Sequence, residues 1–195
     1  MTPSTTLPRR HLLAASAAAL SAAGLASWTG AAQAQAAAAA APKPLHLRGI
    51  ELMPKDVDRA ARAFGANHPV VRIELGDMTT ADFGQADVIT ILDALHYFDH
   101  AHQKDVIRRI RAALPPGGLF LTRVGDASAG LPYHLCNWVD HAVTFIRGHR
   151  LPRLYCRPLA DWVALLESYG FTVETDPMNE GKPFANVMLV CRVPG

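Results

Sequence analysis

The stretch from Ala86 to Gly125 constrains the fold of this chain more than any other. It reads ADVITILDALHYFDHAHQKDVIRRIRAALPPGGLFLTRVG. Val88–Leu92 is a short apolar run with β-branched residues, which is typical of a parallel strand covered on both faces. Apolar residues then recur at helical spacing before a Pro-Pro-Gly-Gly turn and a second apolar run, Leu119–Val124. The residues at helical spacing are Val106, Ile107, Ile110, Ala113 and Leu114. The pattern predicts a βαβ unit.

Chemistry in such sheets lies at the carboxyl ends of the strands, which here are followed by Asp93–Asp99 and Gly125–Gly130. The rest of the chain from residue 45 predicts further alternating elements. The predicted strands are Leu45–Leu52, Val70–Leu75, Phe171–Thr175 and Asn186–Arg192. The predicted helices begin at Pro54, near Leu135 and at Pro158, and glycines follow the first and last of them at Gly65 and Gly170. These elements predict one α/β domain over residues 45–195.

Composition narrows the class only slightly. The chain has 195 residues, half of them apolar, which is enough for one domain with a hydrophobic core. Its formal charge of +2 gives no support for nucleic-acid binding. Cys136, Cys156 and Cys191 are odd in number and lack C-x-x-C spacing, so neither a disulfide framework nor a zinc cluster is indicated. We expect buried free thiols and no bound metal.

Residues 1–44 differ in composition from the rest and allow two interpretations. Arg9-Arg10, an apolar stretch over Leu12–Trp28 and the Ala32-Gln33-Ala34 site together resemble a twin-arginine export signal. Serines and glycine interrupt the apolar stretch, so it does not predict a stable membrane span. Alternatively, the stretch is a helix of the domain, followed by a low-complexity alanine tract.

Several motifs in order resemble class I S-adenosylmethionine-dependent methyltransferases. They are a strand ending in an acid, a strand followed by Gly-Asp, ADVITILDALHYF before a helix, LPPGG before a strand, and YGF…FANVMLV near the end. The resemblance covers Gly49 to Cys191. It implies a Rossmann-like three-layer sandwich whose mostly parallel sheet ends in an antiparallel strand. It also implies S-adenosylmethionine as cofactor, a small-molecule acceptor and a cytoplasmic location.

The resemblance assigns cofactor roles to residues after the second and third strands. Glu51 matches the acid that accepts hydrogen bonds from the ribose hydroxyls, a task that suits a carboxylate. Asp77 matches the acid that meets the adenine amino group, and Met78 the neighbour that packs on the ring. The alternative is that Glu51 and Asp77 are ordinary surface carboxylates at strand ends.

The segment after the fourth strand carries the remaining candidates. By resemblance, Asp93 flanks the methionine part of the cofactor and Tyr97 the substrate, although Asp93 also suits the role of a helix cap. His96 is a candidate general base, since a histidine titrates near neutrality, but a single histidine at this place more often lines the pocket, which is the role we favour from the sequence. His96, Asp99 and His100 bridge a strand end and a loop, so helical spacing does not apply and a metal site is not predicted.

A basic segment, residues 134–157, occupies the place where many methyltransferases have an insertion that covers the substrate. It includes Arg147 and Arg150, which we interpret as candidate contacts to an acidic acceptor or an acidic carrier protein. The alternative is a solvated helix face.

One departure from the family pattern concerns the glycine-rich loop after the first strand. Residues 1–48 contain no acid and no G-x-G. We therefore expect the first strand to be missing and residues 1–44 to contribute one helix at most. The strands at Leu47–Glu51 and Val88–Leu92 would then face each other across a gap, and the chain would be marginally stable.

These observations lead to three hypotheses about function. The first is methyl transfer from S-adenosylmethionine to a small molecule. The second is a catalytically inactive, truncated relative or partner subunit, favoured by the missing loop. The third is an exported binding protein, favoured by the paired arginines. The sequence leaves the oligomeric state open.

Overall fold

Seven strands and three helices make up the part of the chain that the structure describes. The structure is a computed structural model, and it describes the backbone of residues 11–15 and residues 45–65, 67–131, 138, 154–178 and 185–195. The strands are β1 (His11–Ala15), β2 (His46–Glu51), β3 (Val71–Leu75), β4 (Val88–Leu92), β5 (Leu119–Gly125), β6 (Thr172–Pro177) and β7 (Asn186–Arg192). The helices are α1 (Pro54–Phe64), α2 (His100–Ala113) and α3 (Leu159–Ser168), and a 3-10 turn covers Leu95–Tyr97.

All seven strands form one sheet in the order β3-β2-β1-β4-β5-β7-β6. The first five strands of that order are parallel, whereas β7 is antiparallel to both β5 and β6. This arrangement confirms the expected Rossmann-like α/β class with a closing antiparallel strand. The predicted βαβ unit is confirmed as β4, α2 and β5.

The expectation that the first strand is missing was wrong. Strand β1 lies between β2 and β4, with Ala14 opposite Gly49 on one side and opposite Thr90 on the other. The gap expected between β2 and β4 is therefore closed, and the argument for marginal stability that rested on it falls. The sequence HLLAA reads as the start of an apolar helix because alanine has the highest helix propensity. Two open strand edges instead bind this segment through its backbone.

The apolar stripe predicted for α2 is buried as expected. Val106, Ile107 and Ile110 are fully enclosed, and they pack in one cluster with the inward residues of β4, β5 and β7. Burying each such side chain is worth about 1.5–3 kcal/mol. Helix α1 is different, because none of its residues is buried. It begins at Pro54 and ends before Gly65, whose φ of 83° is favourable for glycine.

The N-terminus of α2 is capped by Asp99. Its Oδ1 accepts hydrogen bonds from the backbone N–H groups of Ala101 (3.0 Å) and His102 (2.9 Å). The capping role considered for Asp93 was therefore wrong. Among the described helices, none is long and apolar enough to cross a membrane. The helix predicted near Leu135, together with Arg147 and Arg150, lies outside the described residues.

Candidate functional site

The carboxyl ends of β2 and β3 meet at one edge of the sheet. Glu51, the last residue of β2, is paired with Leu75, the last residue of β3. The backbone N–H of Gly76 donates to the carbonyl oxygen of Glu51 across 3.0 Å. The Glu51 carboxylate and the loop that begins Gly76-Asp77-Met78 therefore share one corner of the fold.

Glu51 is a largely buried carboxylate, with 8% of its surface exposed. Its Oε1 accepts a hydrogen bond from the backbone N–H of Met53 at 3.0 Å. Burial raises the pKa of Glu51, and the hydrogen bond from Met53 opposes this shift. A ligand that donates hydrogen bonds to such a carboxylate stabilises its charged form, because those bonds offset the free-energy cost of desolvation.

Asp77 and Met78 point to different surroundings. Asp77 is exposed, and its Oδ1 accepts hydrogen bonds from the N–H and the hydroxyl of Thr79, both at 2.8 Å. Met78 is 7% exposed and belongs to the hydrophobic core cluster. The loop therefore presents the carboxylate of Asp77 at the surface and anchors itself through Met78.

The loop after β3 is also held by Arg109, which sequence reasoning missed. From α2, its guanidinium donates to the carbonyl oxygens of Ala81 (2.6 Å), Met78 (2.8 Å) and Thr79 (2.9 Å). It also pairs with Asp105 one turn earlier. The helical pattern placed Arg109 outside the apolar stripe, and nothing in the sequence indicated which distant carbonyls it would reach.

Asp93 follows β4 and is paired with Arg123 of β5. Nε of Arg123 lies 2.8 Å from Oδ1 and 2.9 Å from Oδ2 of Asp93, and Nη2 also contacts Oδ2. The backbone N–H of Asp93 donates to the carbonyl oxygen of Arg123 at 3.2 Å. Asp93 therefore stands at the expected strand end as half of an ion pair.

His96 lies in the 3-10 turn that follows Asp93, beside Tyr97, with the two ring centroids 4.4 Å apart. Its Nε2 is enclosed and has no hydrogen-bond partner among the described residues. Burial lowers the pKa of His96, while the negative charge of Asp93 opposes that shift. The lowered pKa favours the neutral imidazole, whose unprotonated ring nitrogen can accept a proton.

Residues 154–158, here called the strap, run between the loops that follow β4 and β5. The backbone N–H of Tyr155 donates to the carbonyl oxygen of His96 at 2.8 Å. The backbone N–H of Ala127 donates to the carbonyl oxygen of Arg157 at 3.1 Å, and Asp126 and Arg157 form a parallel bridge. The strap thus holds the backbone of His96 through Tyr155 and contacts the loop after β5 through Arg157.

Gln103 joins the strap to the 3-10 turn. It is fully buried, and its Nε2 donates to the carbonyl oxygens of Leu95 (3.1 Å), Phe98 (3.0 Å) and Tyr155 (2.7 Å). Its Oε1 accepts a hydrogen bond from Nε of Arg157 at 2.8 Å. A glutamine within the apolar stripe of α2 was the one sequence signal for this contact.

The structure therefore brings the predicted residues of three strand ends to one edge of the sheet. These residues are Glu51, Asp77, Met78, Asp93, His96 and Tyr97. Three or more acidic, histidine or cysteine side chains suited to one metal ion are not found together among the described residues. The β2–β3 corner carries the carboxylates of Glu51 and Asp77, whereas the region after β4 carries His96 and the ion pair of Asp93 with Arg123.

Comparison with known proteins adds family evidence. A family model described as a methyltransferase domain matches residues 26–118. Over 82 residues the chain is 33% identical to carboxy-S-adenosyl-L-methionine synthase of Chromohalobacter salexigens. The matched stretch covers 41% of this chain and 30% of that protein. The chain therefore spans less than a third of the length of this curated relative.

Solved structures share the fold at low sequence identity. Human N-acetylserotonin methyltransferase in complex with SAM superposes with a TM-score of 0.63 at 15% identity, covering 94% of this chain and 48% of that one. An O-methyltransferase family protein from Burkholderia thailandensis gives 0.66 at 19%, covering 95% and 51%. A possible exported protein from Bordetella parapertussis gives 0.65 at 21%, covering 96% and 63%.

Proposed function

We propose that this chain is a class I S-adenosylmethionine-dependent methyltransferase, which transfers a methyl group from that cofactor to a small-molecule acceptor. One observation carries the proposal. The hydrogen bond from Gly76 to Glu51 sets a buried carboxylate directly beside the loop that carries Asp77, at the carboxyl edge of a parallel sheet.

The residues at this edge fit the cofactor's functional groups. The Glu51 carboxylate would accept hydrogen bonds from the two ribose hydroxyls, and Asp77 would accept one from the adenine amino group. Met78 would border the adenine from the core side. Asp93 would flank the methionine part as a charge-neutral pair with Arg123, not as a free carboxylate.

The chain's own residues would act chiefly by position. When bound, the cofactor supplies an electrophilic methyl group on sulfur, and holding an acceptor in line with it accounts for most catalysis of this kind. His96, whose neutral form is favoured by burial, would take up the proton that the acceptor's heteroatom loses as the new bond to carbon forms. Tyr97, in ring contact with His96, would line the acceptor side, and Arg147 and Arg150 would face an acidic group on the acceptor.

Calorimetric titration with S-adenosylhomocysteine tests the cofactor site. We expect Glu51→Gln and Asp77→Asn each to weaken binding at least about tenfold, because each removes a charged hydrogen-bond acceptor. The matched controls are Glu167→Gln and Asp58→Asn, which change the same chemistry at exposed positions outside the site. Unchanged affinity in both site variants would contradict the assignment.

A second candidate function, a catalytically inactive partner subunit, is favoured by the absence of any acid or G-x-G motif in residues 1–48. The same titration separates the two. A folded wild-type chain that shows no binding of S-adenosylhomocysteine at millimolar concentration would favour the inactive subunit, whereas saturable binding would favour the enzyme.

We also propose that residues 1–44 stay with the domain and that the protein acts in the cytoplasm. Cleavage after Ala34, as for an export signal, would remove β1 from the centre of the sheet. Mass spectrometry of the purified protein decides this point. A mature N-terminus near Gln35 or Ala36 would favour the exported binding protein instead.

A further inference from the structure

Asp93 has a backbone conformation that few residues adopt without support. Its φ is 54°, in the left-handed region, and it is the one non-glycine residue with positive φ among those described. Such a conformation persists where the surrounding structure fixes it, and it is concentrated at functional sites. Asp93 begins the turn that carries His96, so its conformation sets where that turn starts.

Arg123 supplies the support from the neighbouring strand. Its guanidinium holds both carboxylate oxygens of Asp93, and its backbone carbonyl oxygen accepts the N–H of the same residue. Side chain and backbone of Asp93 are thus fixed by one partner. A lysine could supply the charge but not the planar, two-pronged geometry.

The charge of Asp93 matters because of its neighbour, His96. Among the described residues, Asp93 is the charged group that acts on His96, and its negative charge opposes the lowering of the His96 pKa by burial. The strap contributes Tyr155, whose N–H binds the His96 carbonyl and whose ring contacts His100 at 5.8 Å between centroids. Arg123, on β5, compensates the charge of Asp93 through a direct hydrogen bond of 2.8 Å from its Nε to Oδ1.

We propose that Arg123 is a positioning residue for the reaction, which holds Asp93 in its left-handed conformation at the start of the turn that carries His96 and compensates the Asp93 charge. The inference rests on the proposed function for its catalytic meaning. The physical claim concerns three side chains of the free protein and needs neither cofactor nor acceptor.

Proton NMR titration of the histidine rings tests the claim in the full chain. The His96 signal is assigned by its absence in His96→Gln. In Arg123→Met, the uncompensated carboxylate should raise the pKa of His96 by about one unit relative to wild type. In Asp93→Asn, the pKa of His96 should fall instead, because the opposing negative charge is lost while the guanidinium stays.

Two further variants separate charge from geometry. Arg123→Lys should leave the pKa of His96 near its wild-type value, while amide exchange in residues 94–98 becomes faster. Arg108→Met is the matched control, since it removes an arginine from an exposed pair with Asp105 on α2 and should change neither readout. If Arg123→Met does not fold by circular dichroism, Asp93→Asn and Arg123→Lys decide the question.

The outcomes bear on the two proposals separately. A His96 pKa that is the same in wild type, Arg123→Met and Asp93→Asn would overturn the positioning role, whatever the cofactor titration shows. Absent binding of S-adenosylhomocysteine with the expected His96 shifts would instead overturn the proposed function and leave this arrangement in place.

Discussion

Gly76 follows β3 and lies so close to Ile50 of β2 that a Cβ atom added to it would stand 2.9 Å from Cγ2 of Ile50. The same residue donates its N–H to the carbonyl oxygen of Glu51. The closeness of the two strand ends therefore depends on a missing side chain. It is this closeness that places the Asp77 loop beside the buried Glu51 carboxylate.

Gly76→Ala should consequently disturb both the fold and the site. The γ2 methyl of Ile50 is branched from a strand residue and has little freedom to move, so we expect a loss of about 1–3 kcal/mol in the free energy of unfolding. Binding of S-adenosylhomocysteine should weaken as well. Gly125→Ala is the control, because a Cβ there meets nothing within 4 Å. Equal stability of the two variants, measured by urea unfolding, would contradict the close-approach argument.

Glu51→Gln should increase stability at neutral pH while it weakens cofactor binding. Burial raises the pKa of Glu51 above its ordinary value of 4.5, so the folded chain holds this proton more tightly than the unfolded chain. Its contribution to stability is therefore full below that ordinary value and is lost as the pH rises through the raised pKa. Glutamine cannot ionise and avoids the loss.

The measurement is urea unfolding of wild type and Glu51→Gln between pH 4 and pH 8. We expect the two curves of unfolding free energy against pH to meet at the acid end and to separate as the pH rises. Glu167→Gln, at an exposed position, should follow the wild-type curve. A Glu51→Gln variant that is less stable than wild type at neutral pH would show that the carboxylate is stabilising in the folded chain.

Most of the fold after residue 44 was predictable because its signals are local. The β4-α2-β5 unit is delimited by an apolar run, a helical stripe and Pro115-Pro116. Each of these signals depends only on residues that are close together in the sequence. Strand β1 was not predictable, since its five residues have no strand pattern of their own. It forms between β2 and β4, whose positions depend on the whole sheet.

The candidate site shows the same division. Glu51, Asp77 and Asp93 lie at or just after the ends of predicted strands, so the sequence alone was enough to locate them. Their partners were not located, because the contact of Arg123 with Asp93 depends on the register between two strands. The cap was one of two roles that the sequence allowed for Asp93, and the structure shows Asp99 as the cap and Asp93 in an ion pair with Arg123.

Gln103→Leu should be among the most destabilising single changes in α2. The substitution conserves much of the volume but removes the Gln103 partner of the Phe98 and Tyr155 carbonyl oxygens and of Nε of Arg157 in an enclosed region, whereas the Leu95 carbonyl oxygen keeps the N–H of Phe98. Each buried polar group left unpaired costs about 1–3 kcal/mol, so we expect a total loss of at least about 3 kcal/mol.

Urea unfolding compares this variant with Gln85→Leu, the same change at an exposed position that should cost little. A similar small effect in both variants would mean that the strap is held by other contacts. Because Gln103 joins the strap to the turn that carries His96, the variant should also speed amide exchange at Tyr155.

Ala14→Pro tests the place of β1 in the sheet. Ala14 is paired on both sides, with Gly49 and with Thr90, so proline would remove a backbone donor and insert a ring in a central strand. We expect the cooperative unfolding transition to be lost and the amides of β2 and β4 to lose their protection from hydrogen exchange together. Ala14→Ser keeps the backbone N–H and should retain both properties. Protected β2 and β4 amides in Ala14→Pro would show that these two strands hold together without β1 between them.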